Sequence, residues 1–367
     1  MNRTLSSAIF LLLLTAVLFL AGCAPADSPA PSPTASALSG SETPEPAAET
    51  DEPIYSEPED GHMQLIPDTA FTRGISLITQ KDHAAGDAFS VFAVHDFRGG
   101  GGAAGLNPLW RLCQWDSGPD LSTMLAESAP EEITDGAYRS FRYDPETDVM
   151  TFRLDTSLYY GGRPAREGDY WPHLLIECPD FGLNSLPGDR ADMYRCDADS
   201  LTVSFDIRLT EFEASPTEGD WVDAAQFLMY FYVKGTETED FCWFGLQLFD
   251  SRWPRNDHYV GYDGGKADAS GAMIYSVGSK YVYAEAGGTA LWKGNAPSPD
   301  GVWRHVEIDL VPYLKNMLKR GKADDYFKAR DLSGLCINGM NAGWETIGTF
   351  RHTMELRGLR LTAKREK

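Results

Sequence analysis

Apolar and polar residues alternate along several short segments of the chain. In residues 200–210 every second residue from Leu201 to Leu209 is apolar, and Thr, Ser, Asp and Arg lie between them. Residues 149–156 repeat the pattern, with Met150, Phe152 and Leu154 on one side. A period of two is typical of a β-strand with one face in a core and the other toward solvent.

Clusters of Gly, Pro, Asp and Asn separate these segments and mark turns. Helical patterns are scarce: one helix is predicted over 312–319, with a proline at its start, and a second over 324–330. Many short strands with few helices favour one all-β domain, an antiparallel β-sandwich of the concanavalin A-like or jelly-roll type over residues 62–367. The predicted strands lie near 73–79, 89–96, 149–156, 172–178, 200–210, 226–234, 241–250, 272–278, 303–311, 334–339 and 354–362.

Two of these strands carry large aromatic residues on the face opposite to the core. In 226–233 the predicted core side holds Phe227, Met229, Phe231 and Val233, which leaves Gln226, Leu228, Tyr230 and Tyr232 on the other face. In 241–250 the same alternation places Phe241, Trp243, Gln247 and Phe249 opposite to the core. Strand 172–178 adds His173 and Glu177, and the charged residues expected beside this face are Arg153, Asp206 and Arg208.

A solvated sheet face does not need Trp and Tyr, whereas a sugar-binding groove does, because aromatic rings stack on pyranose rings while fixed polar groups bind hydroxyls. The loop 249–259 adds Asp250 and Arg252, which could recognise hydroxyls or pair with each other. The alternative is that loops cover this face and make it a second core. The predicted carbohydrate-binding residues are His173, Glu177, Tyr230, Tyr232, Trp243, Gln247, Asp250 and Arg252.

Residues 1–61 have a different composition. Arg3 precedes a nearly continuous apolar run from Ala8 to Phe19, which has the length of a signal peptide. The run ends in Leu20-Ala21-Gly22-Cys23, which resembles the bacterial lipobox and implies a signal peptide over 1–22 and a lipid on Cys23. Residues 23–61 contain nine acidic residues and no Lys or Arg, and predict a disordered tether. The expected location is therefore the outer face of a bacterial membrane, contacted through the lipid anchor only.

Charge and cysteine content restrict the partners. The net charge of −22 argues against nucleic acid and anionic lipid head groups, since both require clustered Lys and Arg. Besides Cys23 five cysteines remain, of which Cys242 and Cys336 are expected in the core, and Cys178 and Cys196 could bridge a loop. No cofactor is expected. A structural calcium ion bound by Asp257, Asp263 and Asp268 is left open, although their spacing does not match an EF-hand.

Carboxylates for glycoside hydrolysis are available at Glu177, Asp206, Asp250, Glu307 and Asp309. Glu307-Ile308-Asp309 resembles the start of the Glu-x-Asp-x-Glu strand of laminarinase-type glucanases, but Val311 stands where the second Glu belongs.

Three segments, 170–177, 241–250 and 339–345, resemble bacterial surface lipoproteins with concanavalin A-like or jelly-roll domains, many of which are linked to glycan use. The leading expectation is therefore a cell-surface module that binds a poly- or oligosaccharide. The alternatives are a glycoside hydrolase or polysaccharide lyase acting in the same groove, and a structural or protein-interaction lipoprotein.

Overall fold

The computed structural model describes most of the chain from Glu59 onward, and all of these residues belong to one compact unit. The predictions for the signal peptide, Cys23 and the tether up to residue 58 lie outside the described residues, as does Asp268. The described ranges are 59–78, 91–98, 107–113, 129–136, 138–157, 159–161, 163–166, 169, 171–215, 223–264, 270–284, 291–294 and 296–366.

The described residues form mainly β-strands. The helices are α1 (Gly188–Met193), α2 (Ser279–Val282) and α3 (Val311–Ala323), with 3₁₀ turns at Leu183–Ser185 and Leu332–Gly334. The strands are β1 (His62–Gln64), β2 (Ile75–Ile78), β3 (Val91–His95), β4 (Trp110–Cys113), β5 (Glu132–Thr134), β6 (Arg139–Asp144), β7 (Val149–Asp155), β8 (His173–Cys178), β9 (Ser200–Ala214), β10 (Ala224–Gly235), β11 (Phe241–Asp250), β12 (Tyr259–Tyr262), β13 (Met273–Val277), β14 (Trp292–Lys293), β15 (Ala296–Pro297), β16 (Arg304–Asp309), β17 (Leu335–Ile347) and β18 (Phe350–Lys364).

The strands assemble into two large sheets. The larger sheet has the order β12-β13-β11-β10-β17-β8-β4-β2-β3. The smaller has the order β16-β9-β18-β7-β6-β5, with β1 also paired to β18, and β14 pairs with β15 separately. Neighbouring strands are antiparallel except for β11 with β13 and β2 with β4. The non-consecutive order shows that the chain crosses repeatedly between the two sheets.

The core lies between the two sheets and is formed by the apolar positions that alternation predicts. On β9 the residues Leu201, Val203 and Leu209 are fully buried, and Phe227 of β10 is buried from the other side. The indole nitrogen of Trp344 on β17 donates to the carbonyl of Phe152 on β7 at 3.0 Å, a hydrogen bond between the sheets. The predicted β-sandwich is therefore confirmed, and so is the helix predicted over 312–319, which forms α3.

Several finer expectations need correction. Residues 324–330 form turns and extended chain after α3 rather than a second helix. Arg153 belongs to β7, and Asp206 and Arg208 to β9, so these residues lie on the smaller sheet and not beside Tyr230. There Arg208 and Arg357 flank the ring of Trp303, at 4.3 and 4.4 Å from its centre.

All five cysteines of the described part of the chain are buried and free. This confirms the expected burial of Cys242 and Cys336. The disulfide considered between Cys178 and Cys196 is wrong, because both residues contribute their thiols to the apolar core. Among the residues described, no helix is both long and apolar enough to cross a membrane.

Candidate functional site

The outward face of the larger sheet carries most of the predicted site residues, because β10 and β11 alternate as expected. On β10, Phe227, Met229 and Phe231 point into the core and are fully buried, while Gln226, Leu228 and Tyr230 are only half-buried. The list of outward residues continues across the neighbouring strands with Trp243 and Gln247 on β11, Glu345 and Asn341 on β17, and His173 and Glu177 on β8.

A β-bulge near the end of β11 changes which residue faces outward. Phe249 pairs with Phe227, but the next residue of β10, Leu228, pairs with Gln247, so the bulge lies at Leu248. An extra residue reverses the facing of the rest of the strand. Phe249 therefore points inward, against Trp344 and other core rings, which corrects its predicted outward position. Asp250 is brought to the outward face, directly opposite Gln226.

A cavity of about 300 Å³ opens on this outward face. Four predicted residues line it, namely Tyr230, Gln247, Asp250 and Arg252. The remaining lining residues are Gln226, Leu228, Phe249, Arg255, Tyr259, Ile274, Ser276 and Glu345. Of these, Phe249, Arg255 and Tyr259 lie in the loop 249–259 that the sequence singles out. Gln226 is not among the predicted binding residues, but the alternation of residues 226–233 places it on the outward face of β10.

Asp250 anchors one wall of the cavity. Its side chain is 3% exposed. One oxygen accepts from the backbone N–H of Arg252 at 3.1 Å and from its Nε at 2.8 Å. The other accepts from Gln226 Nε2 at 2.9 Å, Arg252 Nη2 at 2.7 Å and Arg255 Nε at 2.7 Å. The salt bridge between Asp250 and Arg252, one of the two interpretations of the sequence, is thus present, and Arg255 joins it.

Burial alone would raise the pKa of Asp250, but the hydrogen bonds and positive charges of Arg252 and Arg255 outweigh it and hold the pKa below its usual value. A carboxylate has about four lone-pair positions, and five donors already occupy those of Asp250. The side chain is therefore an ionised, saturated anchor whose effect is to fix the positions of the two guanidinium groups.

Trp253 lies between these two arginines in the chain and is 44% exposed. The guanidinium of Arg255 is 4.3 Å from the centre of its ring and that of Arg252 is 5.1 Å away. These cation–π contacts hold the exposed ring against the two arginines that line the cavity, although Trp253 is not itself a lining residue. An ordered, exposed aromatic ring is a surface on which a flat apolar ligand face can stack.

Tyr230 crosses the floor of the cavity because its neighbour on β11 is a glycine. Tyr230 pairs with Gly245, and a Cβ atom at Gly245 would come within 2.4 Å of the tyrosine ring. The ring therefore covers the adjacent strand, and its hydroxyl hydrogen-bonds with the side chain of Ser276. Burial raises the pKa of Tyr230, and the nearby charge of Glu345 raises it further. Tyr230 thus stays protonated and is a neutral hydroxyl in the cavity.

A second cluster on the same face, formed by Glu177, Tyr232, Arg111 and Cys113, is largely buried; we call it the closed cluster. Glu177 accepts from the hydroxyl of Tyr232, from Arg111 Nε at 2.5 Å and from the thiol of Cys113 at 3.1 Å. Burial and the charge of Glu177 raise the pKa of Tyr232 well above its usual value. Glu177 and Tyr232 are each under 5% exposed. The prediction that these two residues line an open groove therefore needs correction, because side chains from neighbouring strands of the same sheet bind them.

Trp243 and His173 also do not line the cavity. Trp243 is half-buried and packs edge-on against Tyr232 and Phe241, with ring centres 4.9 Å apart in both cases. It therefore extends the closed cluster. His173 pairs with Glu345 in the register of β8 and β17 and is 4% exposed. Four of the eight predicted residues, Tyr230, Gln247, Asp250 and Arg252, thus line the open cavity. Glu177, Tyr232 and Trp243 belong to the closed cluster, and His173 is buried on β8 opposite Glu345.

The aspartates considered for calcium have other partners. Asp257 accepts from Lys280 Nζ at 2.8 Å, and Asp263 from the hydroxyl of Ser270 at 2.7 Å. Across the described ranges no three His, Cys, Asp or Glu side chains come together as metal ligands.

No protein-family model matches the chain, and no curated protein matches it by sequence. Comparison with solved structures gives matches of low structural similarity over part of the chain. The xyloglucanase domain of NopAA, a type three effector from Sinorhizobium fredii solved with cellobiose, is 12% identical, with 62% of this chain and 94% of that domain covered and a TM-score of 0.29. The family 11 xylanase from Neocallimastix patriciarum is 9% identical, with 62% and 86% covered and a TM-score of 0.34. Endoglucanase cel12A from Rhodothermus marinus is 11% identical, with 62% and 87% covered and a TM-score of 0.30. Similarity at this level carries no argument about the role of any residue.

Proposed function

We propose that the domain binds a carbohydrate in the cavity on the outward face of its larger sheet and does not cleave it. The cavity combines what a sugar needs: ring surfaces at Tyr230 and Tyr259, and fixed hydrogen-bonding groups at Gln226 and Gln247. Its volume of about 300 Å³ suits one or two sugar units.

The state of Asp250 is the observation that favours binding over hydrolysis. Among the residues that the structure describes, Asp250 and Glu345 are the carboxylates that line the cavity, and they pair with Gln226 from its two sides. An inverting enzyme holds its two carboxyl groups farther apart than a retaining one, and carboxylates that lie two strands apart could supply that arrangement. Such an enzyme needs one carboxylic acid that donates a proton and one carboxylate that activates water. Asp250 can do neither, because its pKa is lowered and its lone pairs are occupied.

The runner-up is an enzyme, either a glycoside hydrolase or a polysaccharide lyase, that uses the same cavity. A hydrolase would have to combine Glu345 with a carboxylate outside the described lining of this cavity. The third interpretation, a structural or protein-interaction lipoprotein, requires a closed outward face, and the open cavity argues against it. Both remain outcomes of the test below.

Affinity electrophoresis in gels containing polysaccharides tests binding directly. We expect a polysaccharide such as xylan, xyloglucan or a mixed-linkage glucan to retard the chain without release of reducing ends. Stacking on one aromatic ring contributes about 0.5–1.5 kcal/mol. Trp253→Ala should therefore weaken binding about two- to tenfold, and the double variant with Tyr259→Ala should weaken it further.

Tyr262→Ala is the matched control, because Tyr262 is an equally exposed aromatic residue that binds Asp324 instead of lining the cavity. It should bind as the unaltered chain does. Release of reducing ends that Glu345→Gln abolishes would make the protein a hydrolase. If all variants bind the polysaccharide equally well, the carbohydrate does not bind in this cavity.

We further propose that the domain is displayed on the outer face of a bacterial membrane by a lipid on Cys23. The lipobox-like Leu20-Ala21-Gly22-Cys23 after an apolar run supports this location. Metabolic labelling with a palmitate analogue should modify the chain, and Cys23→Ser should abolish labelling and release the protein from the membrane fraction. Labelling that persists in Cys23→Ser would refute the anchor.

A further inference from the structure

We infer that the cavity selects glycans that carry an isolated uronic acid, and that Arg255 with Arg252 binds the carboxylate of that sugar. This inference rests on the proposed carbohydrate binding and adds the class of sugar. It comes from an imbalance of charge at the wall formed by Asp250, where two guanidinium groups share one carboxylate.

The two arginines retain unused hydrogen-bond donors. Arg255 uses only its Nε toward Asp250, and Arg252 uses its Nε and Nη2. Within the described residues no other acceptor contacts the side chain of either arginine, which leaves both terminal nitrogens of Arg255 and Nη1 of Arg252. Both side chains are about one quarter exposed and line the cavity, so a ligand there can reach these donors.

Asp250 preorganises the two arginines for binding a second carboxylate. A guanidinium that is held by a buried carboxylate loses little conformational freedom when it binds a second one. One negative charge balances only one of the two positive charges, so this wall keeps a net charge of +1. A carboxylate is planar and presents two oxygens, which matches the fork of donors on the outer side of Arg255.

Trp253 completes the subsite. Its exposed ring is positioned by the same two arginines, at 4.3 and 5.1 Å, and lies next to the donors. A pyranose ring stacked on Trp253 could therefore direct a carboxylate on C5 toward Arg255. Neutral sugars could also stack there, but they would leave the guanidinium donors without a charged partner.

Two sources of negative charge on the protein restrict the class of ligand. Glu345 also lines the cavity, on the side of Gln226 away from Asp250, so a second carboxylate of the same ligand would meet a negative charge there. The net charge of −22 repels a uniformly charged polyuronate at longer range. A mostly neutral glycan with single uronate units satisfies both conditions.

The test uses the full chain with Cys23→Ser and two probes, glucuronoxylan oligosaccharides and arabinogalactan fragments ending in glucuronate. Each is compared by calorimetry with the same material after reduction of its carboxyl groups to alcohols. At least one uronate form should bind about ten- to a hundredfold more tightly than its reduced partner, the range for hydrogen bonds between charged groups. Arg255→Gln should abolish this preference, and Arg255→Lys should restore it only in part.

Arg360→Gln is the matched control, because Arg360 is an exposed arginine on β18 of the other sheet, and it should keep the full preference. Thermal unfolding of each variant shows that the fold is retained. If the uronate and reduced forms of both probes bind equally, this inference is refuted while the proposed function stands. If neither form of either probe binds, and no neutral polysaccharide binds either, the proposed function is refuted together with it.

Discussion

Replacing Asp250 with Asn should destabilise the domain far more than its position at the end of a strand suggests. The substitution keeps the size of the side chain but removes the charge that two arginines share. It also places an amide where an oxygen now accepts from up to three donors, so donors would face donors. Removing one partner of a buried ion pair costs about 3–5 kcal/mol. Because Arg252 and Arg255 are partly exposed and can recover some solvation, we expect a loss of about 2–3 kcal/mol.

Urea unfolding followed by tryptophan fluorescence at pH 7 measures this loss. Asp206→Asn is the control, since Asp206 also accepts from an arginine, Arg357, at 3.0 Å, but is 28% exposed on the smaller sheet. The control should lose no more than about 1 kcal/mol. A loss below about 1 kcal/mol for Asp250→Asn would show that the cluster is not the buried network described above.

The pH dependence provides a second measurement of the same cluster. The pKa of Asp250 is lower in the folded chain than its usual value, so its stabilisation is fully present above the unfolded-state pKa of about 3.9. This contribution decreases as the pH falls through the folded-state pKa. The difference in unfolding free energy between the unaltered chain and Asp250→Asn should therefore be constant from pH 7 to 5 and shrink below about pH 4. A difference that is the same at pH 3 and pH 7 would refute the assignment.

Three further predictions concern other parts of the domain. Burial lowers the pKa of His352 to about 3, so the folded chain must lose stability by up to about 1.4 kcal/mol per pH unit as the pH falls below about 6.5. His352→Gln should flatten that slope in urea unfolding, and an unchanged slope would contradict it. In the Cys23→Ser chain the five buried thiols should react with a thiol reagent only after denaturation, whereas rapid reaction of the native protein would place one of them at the surface. Gly245→Ala should displace the ring of Tyr230 and weaken glycan binding more than it lowers the melting temperature, and equal binding would show that the ring is not part of the site.

The sequence predicts the sandwich well because its main signal is local. Alternation on β9 and β10 identifies the core residues directly, and the segments between 149 and 364 that alternate or form apolar runs all become strands. The strands that the sequence misses, such as β4 and β6, are short or mix charged residues with apolar ones. Their pairing partners, β8 and β7, are what make them strands, and a single segment does not show its partner.

The sequence anticipates part of the lining of the candidate site, for the same reason. Tyr230 and Gln247 could be assigned to one outward face because each belongs to a strand with clear alternation. The sheet on which a strand lies is not a local property, and Arg153 was therefore placed beside Tyr230 although β7 belongs to the other sheet. The closed cluster was missed because Arg111, which pairs with Glu177, lies on β4, and no strand was predicted there.

The bulge at Leu248 shows how one residue determines the chemistry of the site. Without it, strict alternation would leave Phe249 outward and direct Asp250 into the core, where an ionised carboxylate costs several kcal/mol. With it, Asp250 reaches the outward face and binds Gln226 and both arginines. Five hydrogen bonds make Asp250 unsuitable as a catalytic acid or base, and one of them holds Arg255 at the cavity wall. The saturation of Asp250 and the proposed uronate-binding subsite therefore both depend on this bulge, and removing Leu248 should abolish both the cluster and the binding.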